Sequence, residues 1–243
     1  MTTIPIELDR TLANIHTRWG DSAIRRLSDQ DPAGLAPMLS TGLADLDDAL
    51  GIGGIPRGRI TEMVGTASAG QGSLAANLAA QAQKRGDQVV YVDAVHRADL
   101  SLLTHWGVAL ESLRMLRPLH KATALEMTRD LVVEGHADLI LFDRFDPTDP
   151  TFESIDQMLS EVTPLLGRSS STLVFLTHAE AASYPSGQAL PYFSSVRLSC
   201  EHADWIHGSA AIEGIIARVT VIKNKLAPPH RIAELSLRMP TYA

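Results

Sequence analysis

The sequence predicts an α/β fold, a mainly parallel central sheet flanked by helices and preceded by a helical arm. Three observations carry that expectation. A segment that reads as a strand, residues 59–64, runs straight into Gly65-Thr66-Ala67-Ser68-Ala69-Gly70-Gln71-Gly72-Ser73, which has the glycine spacing of a phosphate-binding turn between a strand and a helix. Downstream, short apolar runs alternate with segments of helical period, as a parallel sheet requires. The composition, 45% hydrophobic and 20% charged over 243 residues, is that of a globular chain with one sizeable core.

Residues 6–27 carry Leu8, Leu12, Ile15, Trp19 and Ile24 at helical spacing. They form an amphipathic helix that either folds back on its own domain or docks on a neighbouring subunit. A turn-rich linker over residues 28–37 follows. A second helix is expected over residues 40–50 with Ser40 or Thr41 as its cap, then a glycine-rich turn over residues 51–58. After the strand and loop come an alanine-rich helix (74–85), a buried strand (88–93), a helix (100–106), and another helix (122–134) stopped near Gly135. A continuous apolar strand, residues 139–143, closes on Asp143. A helix (152–166) and a buried strand (172–177) follow, and strands over 194–199, 217–223 and 232–237 complete a β-rich end. In such a fold the site lies at the carboxyl ends of the strands.

Composition excludes several classes. No apolar run approaches the roughly 20 residues of a membrane span, and the polar start lacks the build of a signal peptide, so a cytoplasmic protein is expected. The single cysteine, Cys200, excludes an internal disulfide or a cysteine-rich zinc site and reads as a small buried side chain. The histidines have no metal-ligand spacing. A net charge of −7 argues against a strongly basic nucleic-acid-coating surface.

The glycine-rich loop departs from working chemistry at two positions. In an intact loop, backbone N–H groups curl around phosphates, a lysine after the last glycine reaches the β/γ oxygens, and the next Ser/Thr holds Mg²⁺. Here the lysine position is Gln71 and the hydroxyl position is Gly72. Ser73 carries a hydroxyl, but about 100° around the helix from the metal-binding position. The backbone N–H groups of Ser68 to Gly72 still form an anion nest at a helix N-terminus, so weak ATP or phosphate binding is all that is expected, and no cofactor.

Further stretches extend the pattern over nearly the whole chain. They are Leu12-Ala13-Asn14-Ile15 to Arg26-Leu27, Ser40-Thr41-Gly42-Leu43-Ala44-Asp45-Leu46-Asp47, Ala49-Leu50-Gly51-Ile52-Gly53-Gly54-Ile55-Pro56-Arg57-Gly58-Arg59-Ile60, Phe193-Ser194-Ser195-Val196-Arg197-Leu198, and Val221-Ile222-Lys223-Asn224-Lys225-Leu226-Ala227-Pro228. With the loop, this ordered set resembles the N-terminal arm and P-loop ATPase core of the bacterial RecA recombinase family. The resemblance implies an arm and linker over residues 1–36 and a RecA-like core over residues 37–243. The matched stretches end where the RecA C-terminal domain begins, and a chain without that domain is expected.

The resemblance also implies roles, position by position. The catalytic glutamate that orients the attacking water falls on Val95, and the adenine-stacking aromatic on Leu102, with Asp99 kept beside it. The Mg²⁺-side carboxylate is Asp143, its following serine has become Arg144, and the γ-phosphate-sensing residue corresponds to His178. Arg144 is then a substitute cation, while Asp143 reads equally well as a strand-end capping carboxylate. Residues 144–152 and 179–192 occupy the places of two DNA-lining loops and are shorter. The backbone-contacting arginine of the second falls on Glu180, and the lysine before its aromatic pair on Pro191. His178, Tyr184 and Arg197 are left to touch a strand, or to serve as ordinary packing.

Protein contacts fare better in this reading. Lys223-Asn224-Lys225 matches the segment that reaches the ATP of an adjacent protomer. Tyr192 matches the aromatic anchor between protomers, and Leu12, Ile15 and Trp19 match the docking face of the arm. The expectation is a non-enzymatic RecA-like accessory or regulatory partner in homologous recombination, DNA repair or the damage response. It would bind RecA or another repair protein, such as a translesion polymerase assembly of the kind ImuA-type proteins serve, and contact DNA weakly or indirectly. The alternatives are an ATP-dependent recombinase that uses Ser73, Asp143 and Arg144 unconventionally, and a SulA-like inhibitor of cell division.

Overall fold

The computed structural model describes residues 6–20, 23–24, 37–152, 154–179, 189–209 and 211–240. The chain divides into two units, Met1–Leu35 and Ala36–Ala243. In the first, α1 spans Ile6–Trp19, shorter than the pattern suggested. Gly20, at φ +85°, ends it, because a left-handed residue cannot continue the helix. Leu12 and Ile15 are half-buried, Leu8 and Trp19 exposed, and the Arg18 guanidinium lies 5.2 Å from the centre of the Trp19 ring. The expected linker, apart from Pro37, lies outside the described residues, as do Arg26 and Leu27.

In the second unit, β1 (Met38–Leu39) pairs antiparallel with β2 (Ile55–Pro56) around α2 (Ala44–Leu50). Ser40 and Thr41 do not cap α2 from the front. Instead the Asp47 carboxylate, inside the helix, accepts from Ser40 Oγ at 2.6 Å, Thr41 N at 2.9 Å and Thr41 Oγ1 at 2.7 Å. The helix therefore starts four residues after Ser40, on the far side of Gly42 at φ +76°.

The main sheet is built from β3 (Ile60–Gly65), β4 (Val89–Asp93), β5 (Arg114–Leu116), β6 (Leu139–Phe145), β7 (Thr172–His178), β8 (Val196–His207), β9 (Ile212–Asn224) and β10 (Ile232–Arg238). Its order is β10-β9-β8-β3-β7-β6-β4-β5. From β8 through β3 to β5 the strands are parallel, whereas β8, β9 and β10 pair antiparallel. The short edge strand β5 and the helix α7 (Ala189–Phe193) are absent from the sequence reading. β8 and β9 also run beyond the expected segments, because the hairpin keeps pairing past the point where β3 stops at Cys200.

Helices cover both faces. α3 (Gln71–Lys84) and α4 (Leu100–His105) lie with α2 over one core layer, and α5 (Lys121–Glu134), α6 (Ile155–Leu166) and α7 over the other. A 3₁₀ turn, Pro150–Phe152, precedes α6, which starts three residues later than expected. The alanines of α3 have a packing purpose: Ala75, Ala76, Ala79, Ala80 and Ala82 are fully buried, which lets the helix approach the sheet closely.

One ion pair crosses the join between the parallel part and the antiparallel end. Arg197 Nε of β8 donates to Glu62 Oε2 of β3 at 2.5 Å, with the glutamate side chain fully buried. Removing one partner of a buried pair leaves an uncompensated charge. Arg197→Ala is accordingly expected to destabilise the fold by about 3 kcal/mol, measured by urea denaturation, and to cost more than Glu62→Gln combined with Arg197→Met.

Candidate functional site

The loop after β3 is fixed by its surroundings. A Cβ on Gly65 would lie 2.5 Å from the carbonyl oxygen of Cys200 and 2.6 Å from Gln71 Nε2, so β8 and the Gln71 carboxamide both press on its backbone. Ser68 takes a left-handed φ of +60°, and Ala69 is fully buried. Gly70 caps α3 at φ +98°, where a Cβ would meet Leu237 Cδ1 at 2.7 Å and Ala217 Cβ at 3.2 Å. Glycine is required there both by backbone conformation and by the close approach of β9 and β10.

Thr66, Ala67, Ser68, Gln71 and Gly72 face Asp143, Arg144, Leu176, Thr177 and His178 across a cavity of about 170 Å³. Arg144 thus reaches the loop's cavity, as does His178 at the end of β7. Ser73, Val95 and Asp99 do not line it. Asp99 caps α4 instead, accepting from Ser101 N at 2.9 Å and Leu102 N at 3.2 Å. Leu102 packs on the start of α3: a Cβ on Gly72 would sit 3.4 Å from its Cδ2.

Asp143, in the cavity lining, has a second carboxylate beside it, since Asp93 and Asp143 are register partners on β4 and β6. Tyr91 Oη donates to Asp143 Oδ2 at 2.6 Å. Arg117 Nε donates to Asp93 Oδ2 at 2.9 Å, and the backbone N–H groups of Arg97 and Ala98 complete that buried carboxylate. Burial pushes the Asp143 carboxyl above its usual range against the pull of the Tyr91 hydrogen bond; Asp93 adds to the rise and Arg144 opposes it. Burial, then the Asp143 charge and hydrogen bond, raises Tyr91 well above the ordinary phenol range. The Asp143–Arg144 peptide bond is cis.

The sequence reading missed Tyr91, Arg117 and Thr177. The Thr177 hydroxyl, 1% exposed, lines the cavity with no hydrogen-bond partner among the described residues. Tyr91 had a signal, a phenol two residues before Asp93 on the same face of a buried strand. Arg117 had none, because its partner is 24 residues away. Among the described residues no group of three or more His, Cys, Asp or Glu could hold a metal. A larger groove of about 390 Å³ lies elsewhere, between α5 and α6, where Arg129 is paired with Glu161 and Asp130 over Leu125 and Met158.

Lys223, Lys225 and Tyr192 gather away from the cavity. In strand register Lys223 lies opposite Arg197 and Arg197 opposite Glu62, whereas the loop leaves β3 at Gly65. Asn224 ties the turn to α2 by donating to Leu50 O at 2.9 Å. Lys225 is exposed, and Tyr192 is 74% exposed. The Lys223 ammonium is engaged by its own chain, donating to Pro191 O at 2.6 Å and Tyr192 O at 3.0 Å. Glu180 and Tyr184 lie outside the described residues. Cys200 is buried and its thiol is pushed up to about 12 by burial and the Glu201 charge.

With the geometry in place, comparison with known proteins assigns the chain. The RecA N-terminal domain family matches residues 6–171 and 169–241. The chain is 32% identical to Protein RecA of Symbiobacterium thermophilum over 254 residues, 95% of this chain and 73% of that protein. It is 33% identical to Protein RecA of Streptomyces venezuelae over 256 residues, covering 95% and 67% of the two chains. For Protein RecA of Thermus thermophilus the identity is 34% over 256 residues, covering 95% and 75%. The chain belongs to the RecA family, and its α/β core is RecA-like.

Burial, with repulsion from Lys225 and Arg197 and a smaller opposing pull from Glu62, lowers Lys223 from 10.5 to about 8. Between those values the unfolded chain holds a proton that the folded chain has released, so this group's contribution to stability rises with pH across that window. Wild type should therefore gain urea resistance relative to Lys223→Met as pH climbs from about 8 to 10.5.

Proposed function

We propose that this RecA-family chain serves homologous recombination, DNA repair or the damage response as an accessory or regulatory partner whose own nucleotide loop no longer supports hydrolysis. The observation that carries the reading is the start of α3. Gln71 lies over Gly65 and Leu102 abuts Gly72, so the two positions that would supply an ammonium and a metal-binding hydroxyl supply neither. The cavity of about 170 Å³ is also below the roughly 300 Å³ from which ligand pockets usually begin. Asp143, the carboxylate that the resemblance puts on the metal side, accepts a hydrogen bond from Tyr91 of its own chain, which supports the same reading.

Loss of the charge clamp and of the water-orienting group compound each other. DNA-stimulated ATP hydrolysis by purified protein is expected to be absent; turnover of roughly 1 per second or more would contradict the reading. Gln71→Lys alone should not restore it, since Val95 and Gly72 remain. The competing reading, a recombinase with an unconventional site, draws on Arg144, which lines the cavity opposite the loop, but Ser73 stands outside it.

The partner is taken to be a genuine RecA filament or another repair protein, met through Tyr192, the Lys223-Asn224-Lys225 segment and the arm face of Leu12, Ile15 and Trp19. Single-stranded DNA binding should be weak and strongly salt-sensitive, given the net charge of −7, and nanomolar affinity at physiological salt would refute it. ATP-dependent association with RecA is expected, lowered by about tenfold in Tyr192→Ala, as measured by surface plasmon resonance.

A further inference from the structure

Two consecutive residues of β6, Asp143 and Arg144, both line the loop's cavity. Successive side chains of a strand point to opposite faces. The register explains the exception: Asp143 pairs with Leu176 and Phe145 with Thr177, which leaves Arg144 as the extra residue of a bulge. A bulge re-aims a side chain, and this one brings a guanidinium to the cavity that the start of α3 faces. Arg144 is half-buried and makes no hydrogen bond or close ion pair with the described residues. Beside it the Thr177 hydroxyl, 1% exposed, lines the same cavity with no hydrogen-bond partner among the described residues. A buried hydroxyl left without a partner is costly, so it marks a place that something else completes. Across the cavity the 14-residue helix α3 opens with the amides of Gln71, Gly72 and Ser73, which have no helical carbonyl before them and carry the positive end of the helix dipole. His178, the register partner of Gly65, lines the cavity as well.

We infer that this cavity takes a small tetrahedral oxyanion, free inorganic phosphate or sulfate with no metal and no nucleoside attached, held by Arg144, Thr177 and the first amides of α3. The inference rests on the reading above that the loop no longer supports hydrolysis, and it names what the same site binds instead. An oxyanion only accepts hydrogen bonds, and the cavity offers it donors of three kinds: a guanidinium fork, a hydroxyl and backbone amides at a helix N-terminus. Size points the same way. About 170 Å³ is several times the roughly 30 Å³ of a liquid water molecule, yet below the roughly 300 Å³ of usual ligand pockets, which suits a lone ion and not a nucleotide. The acid among the described lining residues is Asp143, and Tyr91 already holds its Oδ2. In this arrangement the carboxylate opposes the anion, whereas in a metal-bridged site the same carboxylate would help to draw the ligand in. The sign of its effect therefore separates the two kinds of site.

Isothermal titration of the full chain with sodium phosphate, in a buffer containing EDTA, tests the site. Wild type should bind phosphate with a Kd of about 1 mM or tighter, and sulfate should compete. Arg144→Met should weaken binding about tenfold and Thr177→Val about fivefold, through loss of a charge-assisted and a neutral hydrogen bond. Asp143→Asn should tighten it about threefold, because the opposing charge is gone. The threonine and aspartate variants decide the matter if the arginine variant does not fold. No saturable binding below about 10 mM in wild type overturns the inference. So does wild-type affinity in both Arg144→Met and Thr177→Val, which would mean an adventitious ion only, and so does loss of binding in Asp143→Asn. ATP in the same buffer should bind no tighter than phosphate, and affinity about tenfold higher would make the ligand a nucleotide and overturn the free ion. The two readings fail separately. DNA-stimulated ATP hydrolysis sinks the proposed function, whereas missing phosphate binding in a chain that hydrolyses no ATP sinks the oxyanion site alone.

Discussion

The loop from Gly65 to Gly72 is held in shape by its own chain, and the rest of the site depends on that constraint. The carbonyl of Cys200 presses on Gly65 from β8, and Leu237 and Ala217 press on Gly70 from the antiparallel end of the sheet. All of these contacts are made by the chain's own atoms. A loop stabilised by backbone conformation and packing keeps its form when the side chains that would act on a ligand change, because fold and chemistry use different atoms. The proposed function rests on that separation, with Gln71 and Gly72 taken to stand at the functional positions.

The same economy of contacts runs through the neighbouring strands. Asp93 and Asp143 stand side by side in a buried place where two carboxylates repel each other. Arg117 answers one and Tyr91 the other, so the pair is satisfied from within the chain. At the other end of β3 the Glu62–Arg197 pair joins the parallel and antiparallel parts, with Lys223 and α7 built next to it. Tyr192 and Lys225 are exposed beside this pair.

Much of the core was legible because buried parallel strands read as unbroken apolar runs. Residues 139–143 and 172–177 gave their strands to within a few residues, and Gly135 marked the end of α5 by its left-handed φ of +71°. What was missed depended on distant partners. α2 has no side-chain cap at Leu43, and Asp47 instead reaches back from within the helix to Ser40 and Thr41, which those two residues alone do not reveal. The outer hairpin of β8 and β9 carries register shifts near Arg197, His202 and Ile206, which break the alternation that marks a half-buried strand. At the site, the positions of Gln71, Gly72 and Arg144 were readable from the motif. Thr177 and the tie between Lys223 and α7 were not, since they exist only once the strands are paired.

Calorimetric titration of the purified chain with ATP and Mg²⁺ tests the central claim most directly, that the loop keeps its shape without its chemistry. The expected result is a folded protein with no saturable Mg-ATP binding tighter than about 1 mM. Saturable binding in the micromolar range, lost in Arg144→Ala, would contradict it and return the chain to the working members of its family.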